Sequence, residues 1–242
     1  MISESHIVPY AVSELPAGPW LVFAPHADDE TFGMGGTLLR ARDAGIVVHL
    51  VVMTDGALGG KQNDLVQVRQ QEARAVATQL GLASCTFLGE ADRGLGPDAA
   101  LSGNIAALIT QRAPASVFFP GMYEPHPDHR ATTLLVWNAL QSLPSAQRPA
   151  AVAYEISVQN PVNCFIDITA QMPGKRALMA LYLSQVGENN YIAIVEAMNR
   201  LRTFSLPDQV EFVEGFYCFT SAEQQLPLLQ LLQARVQRLF DH

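Results

Sequence analysis

The sequence predicts an α/β fold with a mainly parallel sheet and helices on both faces. Two observations lead to this prediction. Short runs of β-branched and aromatic residues alternate with segments whose apolar residues recur at helical spacing, which is typical of repeated βα units. The 242 residues are 49% hydrophobic and 16% charged, so the chain has enough apolar material to bury a core. We expect a single domain over residues 1–242, with βα units at about 20–145 and further strands and helices at 150–242.

Seven short apolar runs predict the strands of this sheet. The first four are bounded by glycine, proline or polar clusters. The last run, EGFYCF, is interpreted as a terminal strand rather than as an aromatic binding platform. The runs cover residues 20–25, 47–54, 85–89, 116–121, 152–157, 165–169 and 214–219.

Helices are predicted between and after the strands from the spacing of apolar residues. Ala73, Val76, Ala77 and Leu80 recur at i, i+3, i+4 and i+7, and Gly81 stands where a glycine commonly ends a helix. Near the C-terminus, apolar residues at heptad spacing predict a helix docked on the body; they are Leu229, Leu232, Val236 and Leu239. The predicted helices cover residues 37–44, 73–80, 101–109, 129–140, 173–186, 191–204 and 226–240.

Charge, cysteine content and hydropathy narrow the partners and the compartment. A formal net charge of -8 argues against a nucleic-acid partner, because phosphate backbones are bound by clustered Lys and Arg. Three cysteines without C-x-x-C spacing predict neither a disulfide framework nor a zinc ribbon. The first twenty residues lack the basic and apolar regions of a signal peptide, and no apolar run predicts a transmembrane segment. The sequence therefore predicts a cytoplasmic protein.

Two short segments rich in histidine and acidic residues follow predicted strands. APHADDE occupies 24–30 after the first strand, and PHPDHR occupies 125–130 after the fourth. Because ligands bind at the carboxyl ends of parallel strands, we expect these segments to meet over one crevice. Imidazole and carboxylate ligands that leave a position for water are typical of a catalytic metal site. The adjacent pair Asp28 and Asp29 suits a division in which one carboxylate binds the metal and the other takes a proton from water.

Two other interpretations fit parts of these segments. Asp128 is well placed to cap a helix over residues 129–140. The spacing of His26 and Asp28 with a distal histidine is also that of the facial triad in non-haem iron oxygenases. Those enzymes have β-rich folds, however, so the alternation of strands and helices disfavours this alternative.

The glycines after the first strand suggest a nucleotide-binding alternative. Gly33, Gly35 and Gly36 resemble part of a phosphate-binding loop, but a dinucleotide fingerprint requires glycine where Leu38 stands. We expect these glycines to allow the helix over residues 37–44 to pack closely on the sheet.

The sequence resembles the LmbE-like or PIG-L deacetylases, which remove acetyl groups from N-acetylglucosamine units of various conjugates. The resemblance covers roughly the first 140 residues and is carried by PHADDE at 25–30, TDG at 54–56, Arg69 with Glu72, FLGEAD at 87–92 and HPDH at 126–129. It implies a Rossmann-like fold and a metal-dependent hydrolase acting on an amino-sugar conjugate. A non-catalytic member of the same fold that only binds a sugar or nucleotide is the remaining alternative.

The resemblance implies three metal ligands, which are His26, Asp29 and His129. Two imidazoles and one carboxylate favour Zn²⁺ by ligand type, although Fe²⁺ and other divalent ions accept the same ligands. The alanine at position 27, where the family usually has proline, only shapes the backbone and leaves these three ligands in place.

The resemblance also implies the catalytic roles. Asp28 is expected to act as the general base that activates a metal-bound water for attack on the N-acyl carbonyl. His126 is expected to stabilise the oxyanion or to protonate the leaving amine, and Asp128 to orient the histidine pair.

Substrate contacts are expected from three further residues. Arg69 and Asp92 are expected where sugar hydroxyls or the anomeric substituent bind. Some sugar-deacetylating members place a tyrosine two residues before the first histidine of HPDH. Here Glu124 stands at that position, and Tyr123, one position earlier, is the third expected substrate contact. The expected partner is thus a small-molecule amino-sugar conjugate. The apolar residues over 226–240 either pack inward or form the interface of a homo-oligomer.

Overall fold

The computed structural model describes residues 10–60, 64–187 and 189–238. The strands in this part of the chain are β1 (Trp20–Ala24), β2 (Val48–Thr54), β3 (Ser84–Glu90), β4 (Ser116–Pro120), β5 (Ala150–Tyr154), β6 (Cys164–Asp167) and β7 (Val213–Cys218). They form one sheet in the order β3-β2-β1-β4-β5-β7-β6. The first five strands run parallel, β7 pairs antiparallel with β5, and the edge strand β6 pairs antiparallel with β7. The predicted fold class is confirmed.

The helices connect these strands or follow them. They are α1 (Asp29–Asp43), α2 (Leu65–Gln79), α3 (Ala99–Arg112), α4 (Pro127–Ser142), α5 (Met172–Met179), α6 (Leu183–Val186), α7 (Tyr191–Leu201) and α8 (Leu228–Arg238).

The position of β1 decides where a ligand can bind. β1 pairs with β2 on one side and with β4 on the other, so the order in which successive strands are added to the sheet reverses between β1 and β4. Such a reversal leaves a crevice at the carboxyl ends of the two strands. The segments after β1 and β4, which carry the two histidine-rich motifs, therefore flank the same crevice.

A hydrophobic core lies on each face of the sheet. Trp20, Val22 and Ala24 of β1 point into one core, whereas Leu21 and Phe23 point into the other. This alternation follows from the two-residue repeat of a strand. All five residues of β1 are buried, which is the pattern of a central strand covered by helices on both faces.

The first helix begins earlier than predicted. The prediction placed it at 37–44, whereas α1 starts at Asp29, inside the first motif. Nearly every residue in its first half is buried, so no polar face reveals the helical period. The helix bends at Met34, and after the bend the Glu214 carboxylate accepts hydrogen bonds from the backbone N–H groups of Gly36 and Thr37.

The glycines of α1 allow close packing, as predicted. A Cβ atom on Gly33 would lie 2.5 Å from the Glu155 carbonyl oxygen, and one on Gly36 would lie 2.7 Å from Ile168 Cβ. Because both positions are filled by protein atoms, they leave no room for a phosphate group. The nucleotide-loop alternative is therefore wrong.

The C-terminal helices differ in part from the prediction. The single helix predicted over 173–186 is two helices, α5 and α6, separated around the fully buried Tyr182, whose hydroxyl donates to Glu30 Oε1 at 2.6 Å. The predicted terminal helix is present as α8, but the residue it buries is Leu231, whereas Leu229 and Val236 of the predicted stripe are exposed. Leu239 lies outside the described residues. In the described ranges, no helix is long and apolar enough to cross a membrane.

Candidate active site

The two motifs line one cavity of about 600 Å³. His26, Asp28 and Asp29 enter it from the segment after β1, and His126 and His129 enter it from the segment after β4. The predicted meeting of the two strand ends is thus observed, although the residues are about 100 positions apart in sequence.

Asp29 lies between two buried histidines. Its Oδ2 atom is 3.1 Å from His26 Nδ1 and 3.3 Å from His129 Nε2. His26 also lies with His126 and His129 in a group whose possible ligand atoms are all within 4.8 Å of one another. Imidazole nitrogens and a carboxylate oxygen at this separation are the donors that a divalent transition metal requires.

The pKa values of these groups reflect a site rich in carboxylates. Burial lowers the pKa of His26, but hydrogen bonds to Asp128, Asp29 and Asp92 outweigh it and raise the pKa to about 12. Burial is likewise outweighed at His129 by the charge and hydrogen bond of Asp29, which raise the pKa to about 9. A divalent cation bound by the same nitrogens would take the place of these protons. The residues therefore fit a metal ion.

Glu124 orients His129, a role that no sequence pattern predicts. Its carboxylate is fully buried, and its Oε2 atom lies 3.3 Å from His129 Nδ1. This contact places the proton on Nδ1 and leaves Nε2 to face Asp29. A single acidic residue after a strand gave no sequence signal for this role.

Asp128 connects the two motifs. Its Oδ2 atom is 3.0 Å from His26 Nε2 and accepts a hydrogen bond from the Arg93 backbone N–H at 2.7 Å. The helix α4 is capped instead by the His126 side chain, whose Nδ1 accepts a hydrogen bond from the Asp128 backbone N–H at 3.2 Å. The alternative that Asp128 serves as the helix cap is therefore wrong.

Asp28 is held in a strained conformation beside a buried arginine. Its backbone φ of 140° is one that side chains rarely adopt, and such strain concentrates at functional sites. Its Oδ2 atom accepts a hydrogen bond from Arg69 Nη2 at 3.2 Å. Burial raises the pKa of Asp28 to about 7, although the Arg69 charge opposes this shift. The carboxyl group can therefore exchange a proton near neutral pH.

The predicted substrate-binding residues fall in different places. Arg69 and Asp92 line the cavity, and Asp92 lies 3.5 Å from His26 Nε2. Tyr123 is 40% exposed and does not line this cavity; its backbone N–H donates to Asn160 Oδ1.

The cavity has a mainly polar side and a mainly apolar side, although the apolar Leu58 lies beside Asp92 on the first and the polar Ser157 follows Ile156 on the second. Arg69, Asp92 and Arg93 lie on α2 and in the segment after β3. Apolar lining comes from α1, from α7 and from the segment after β5, and consists of Phe32, Tyr191, Ile194, Val195 and Ile156. No sequence pattern marks this apolar set, because its members are scattered over three segments.

Comparison with known proteins supports the same chemistry. The PIG-L family, described as GlcNAc-PI de-N-acetylase, matches residues 21–140. A probable N-acetyl-alpha-D-glucosaminyl L-malate deacetylase 2 of Bacillus anthracis is 30% identical over 182 residues, which cover 68% of this chain and 80% of that protein. A diacetylchitobiose deacetylase of Thermococcus kodakarensis is 29% identical over 188 residues, or 70% of each chain.

The fold comparison extends over almost the whole chain. The structure of N,N'-diacetylchitobiose deacetylase from Pyrococcus horikoshii matches with a TM-score of 0.78 and 23% identity, and 94% of each chain is covered. This structural similarity shows the fold, and the similarity in sequence to the two deacetylases shows the family. The chain belongs to the PIG-L, or LmbE-like, family of de-N-acetylases.

Proposed function

We propose that this protein is a metal-dependent hydrolase that removes an N-acetyl or other N-acyl group from an amino-sugar conjugate. The observation that carries the proposal is the cavity where buried histidines and carboxylates from the ends of β1 and β4 face each other. Relatives named as deacetylases of diacetylchitobiose and of N-acetylglucosaminyl malate support the substrate class.

His26, Asp29 and His129 are the proposed metal ligands, and zinc is the proposed ion. The carboxylate of Asp29 lies within 3.3 Å of both imidazoles, and Glu124 and Asp128 hold the far sides of the rings. When bound, such an ion polarises a carbonyl group and lowers the pKa of a water ligand. Fe²⁺ accepts the same ligands, so metal analysis of the purified protein decides between them.

Asp28 is the proposed general base. It lines the cavity beside Asp29, and its raised pKa of about 7 suits proton transfer at neutral pH. Arg69 fixes the carboxylate by a hydrogen bond and leaves the other oxygen to accept a proton from the attacking water.

His126 is the proposed donor to the reacting amide. Its side chain is 32% exposed, so it reaches the cavity. Because Nδ1 accepts from the Asp128 backbone, the ring proton resides on Nε2 and can be donated to the developing oxyanion or to the leaving nitrogen. Asp128 thus positions both His26 and His126.

Arg69 and Asp92 are proposed to bind sugar hydroxyls, because both line the polar side of the cavity. Sugar binding by Tyr123 stays a prediction. A cytoplasmic location and a homo-oligomer also stay predictions.

Amine release from N-acetylglucosamine, diacetylchitobiose and N-acetylglucosaminyl malate, before and after chelation, tests the proposal. We expect turnover that is lost with chelator and restored by one zinc equivalent per chain. Stoichiometric metal without turnover of any N-acyl sugar would support a non-catalytic member of the family and contradict the proposal.

The oxygenase alternative is disfavoured, because those enzymes have β-rich folds and this chain has an α/β sheet.

A further inference from the structure

The apolar side of the cavity is larger than an acetyl group needs. Phe32 and Val195 belong to one hydrophobic cluster, against which Tyr191 packs, and the Phe32 and Tyr191 ring centroids are 5.7 Å apart. Ile194 lies on the same face of α7, and Ile156 borders it from the segment after β5. Apolar walls in concave sites are typically covered by apolar parts of the ligand. A single methyl group would contact only a small part of this wall.

The wall begins directly beside the reacting groups. Phe32 lies one helical turn after Asp28, and its backbone N–H donates to the Asp28 carbonyl at 2.9 Å. The Ile156 backbone N–H donates to Glu124 Oε1 at 3.0 Å, and Glu124 in turn holds His129. The backbone that carries Phe32 is therefore tied to the proposed base, and the backbone that carries Ile156 is tied to the carboxylate that holds a proposed metal ligand.

The wall is also firmly held. On α7, Asn199 accepts a hydrogen bond from the buried Lys175 at 2.9 Å and donates to the Val213 carbonyl at 3.1 Å. Just after α7, Arg202 forms an ion pair with the buried carboxylate of Glu155. These contacts tie the helix to the sheet, so its apolar face is presented in a fixed position.

The geometry of an amide assigns this wall to the acyl side of the substrate. A secondary amide is planar and trans, so its acyl chain and its nitrogen substituent extend in opposite directions from the reacting carbon. Sugar hydroxyls need hydrogen-bonding partners, which Arg69, Asp92 and Arg93 supply on the polar side. The acyl chain then runs toward Phe32 and α7.

We propose that the preferred substrate carries an N-acyl chain of about four to eight carbons, which packs against Phe32, Ile156 and the cavity face of α7. This proposal rests on the proposed function and names the acyl class at the same site. Burying one methylene contributes about 0.8 kcal/mol, which corresponds to roughly a fourfold gain in affinity or kcat/KM.

A series of N-acetyl, N-butanoyl, N-hexanoyl and N-octanoyl glucosamines tests the proposal. We expect kcat/KM to rise at least tenfold between acetyl and the best longer chain. In parallel, calorimetry with the Asp28→Asn variant is expected to show at least tenfold tighter binding of that longer chain, which separates binding from chemistry.

Ile194 offers a matched pair of variants. It is 53% exposed and lines the cavity, whereas Leu201 is 62% exposed on the same helix and does not. We expect Ile194→Asn to lower the ratio of long-chain to acetyl kcat/KM about tenfold and Leu201→Asn to leave the ratio unchanged. Both positions are largely open to solvent, so neither variant should prevent folding.

Three outcomes would overturn the proposal. Acetyl preferred over every longer chain would leave the proposed function standing and remove this inference. An octyl glycoside of N-acetylglucosamine that gains as much as the N-octanoyl compound would assign the wall to an aglycone. No amine release from any compound in the series would remove the proposed function and this inference together.

Discussion

Replacing Glu124 with glutamine tests how the side chain of His129 is held in the active site. Glu124 Oε1 accepts from the Ile156 backbone N–H at 3.0 Å and from Asn160 Nδ2 at 3.2 Å. Its Oε2 atom accepts from the Ser157 backbone N–H at 3.0 Å and faces His129 Nδ1 at 3.3 Å. A glutamine amide accepts at one oxygen only, so two of these donors lose their partner in either orientation.

The expected cost follows from burial. Glu124 is fully buried, and a buried donor without a partner costs about 1 to 3 kcal/mol. Ser157 is exposed, so water can replace the partner of its N–H, and the orientation that places the amide nitrogen there leaves one buried donor unpaired. The free energy of unfolding should therefore fall by about 1 to 3 kcal/mol. The neutral amide also holds His129 less strongly than a carboxylate does. Loss of such a partner to a metal-binding histidine typically lowers metal affinity roughly 10- to 100-fold.

Two measurements check this prediction. Urea denaturation of the metal-free protein measures the stability, and zinc titration against a competing chelator measures the affinity. Glu211→Gln is the matched control, because Glu211 pairs with Arg200 where both side chains are more than half exposed. Such surface pairs contribute at most about 1 kcal/mol, and we expect unchanged zinc affinity. Native-like stability and affinity in Glu124→Gln would refute the reasoning.

Three further predictions concern Asp28 and the packing of α1. Asp28→Asn should retain stoichiometric metal by elemental analysis but lose about 10²- to 10⁴-fold in kcat; full turnover would exclude a base role. A pH profile of kcat/KM should fall on the acid side with a midpoint at or below pH 7, because only the ionised carboxylate of Asp28 accepts a proton. Burial raises the pKa of Asp28 to about 7, and a bound cation lowers this pKa. Gly33→Ala should cost about 1 to 3 kcal/mol in urea denaturation, since its Cβ would meet the Glu155 carbonyl oxygen at 2.5 Å; an unchanged midpoint would contradict that packing.

Local patterns were sufficient for the fold class and for the strands. Each buried strand can be predicted from its own short apolar run, and the ends of the observed strands agree with those of the predicted runs to within three residues. The spacing of apolar residues did not predict the helix start where all sides of a helix are buried, as in the first half of α1. It also did not predict the break between α5 and α6 around the buried Tyr182. In both places a tertiary contact determines the local structure.

The sequence alone determined that the chain is an α/β protein of the PIG-L type with two histidine- and carboxylate-rich motifs at strand ends, because residue type and spacing carry that information. The tertiary structure decided what lies around those motifs. Glu124 becomes the partner of His129, Asp128 the partner of His26, and α7 an apolar wall of the cavity. These relations join residues on separate elements, and no local pattern records which side chains will meet once the sheet has formed.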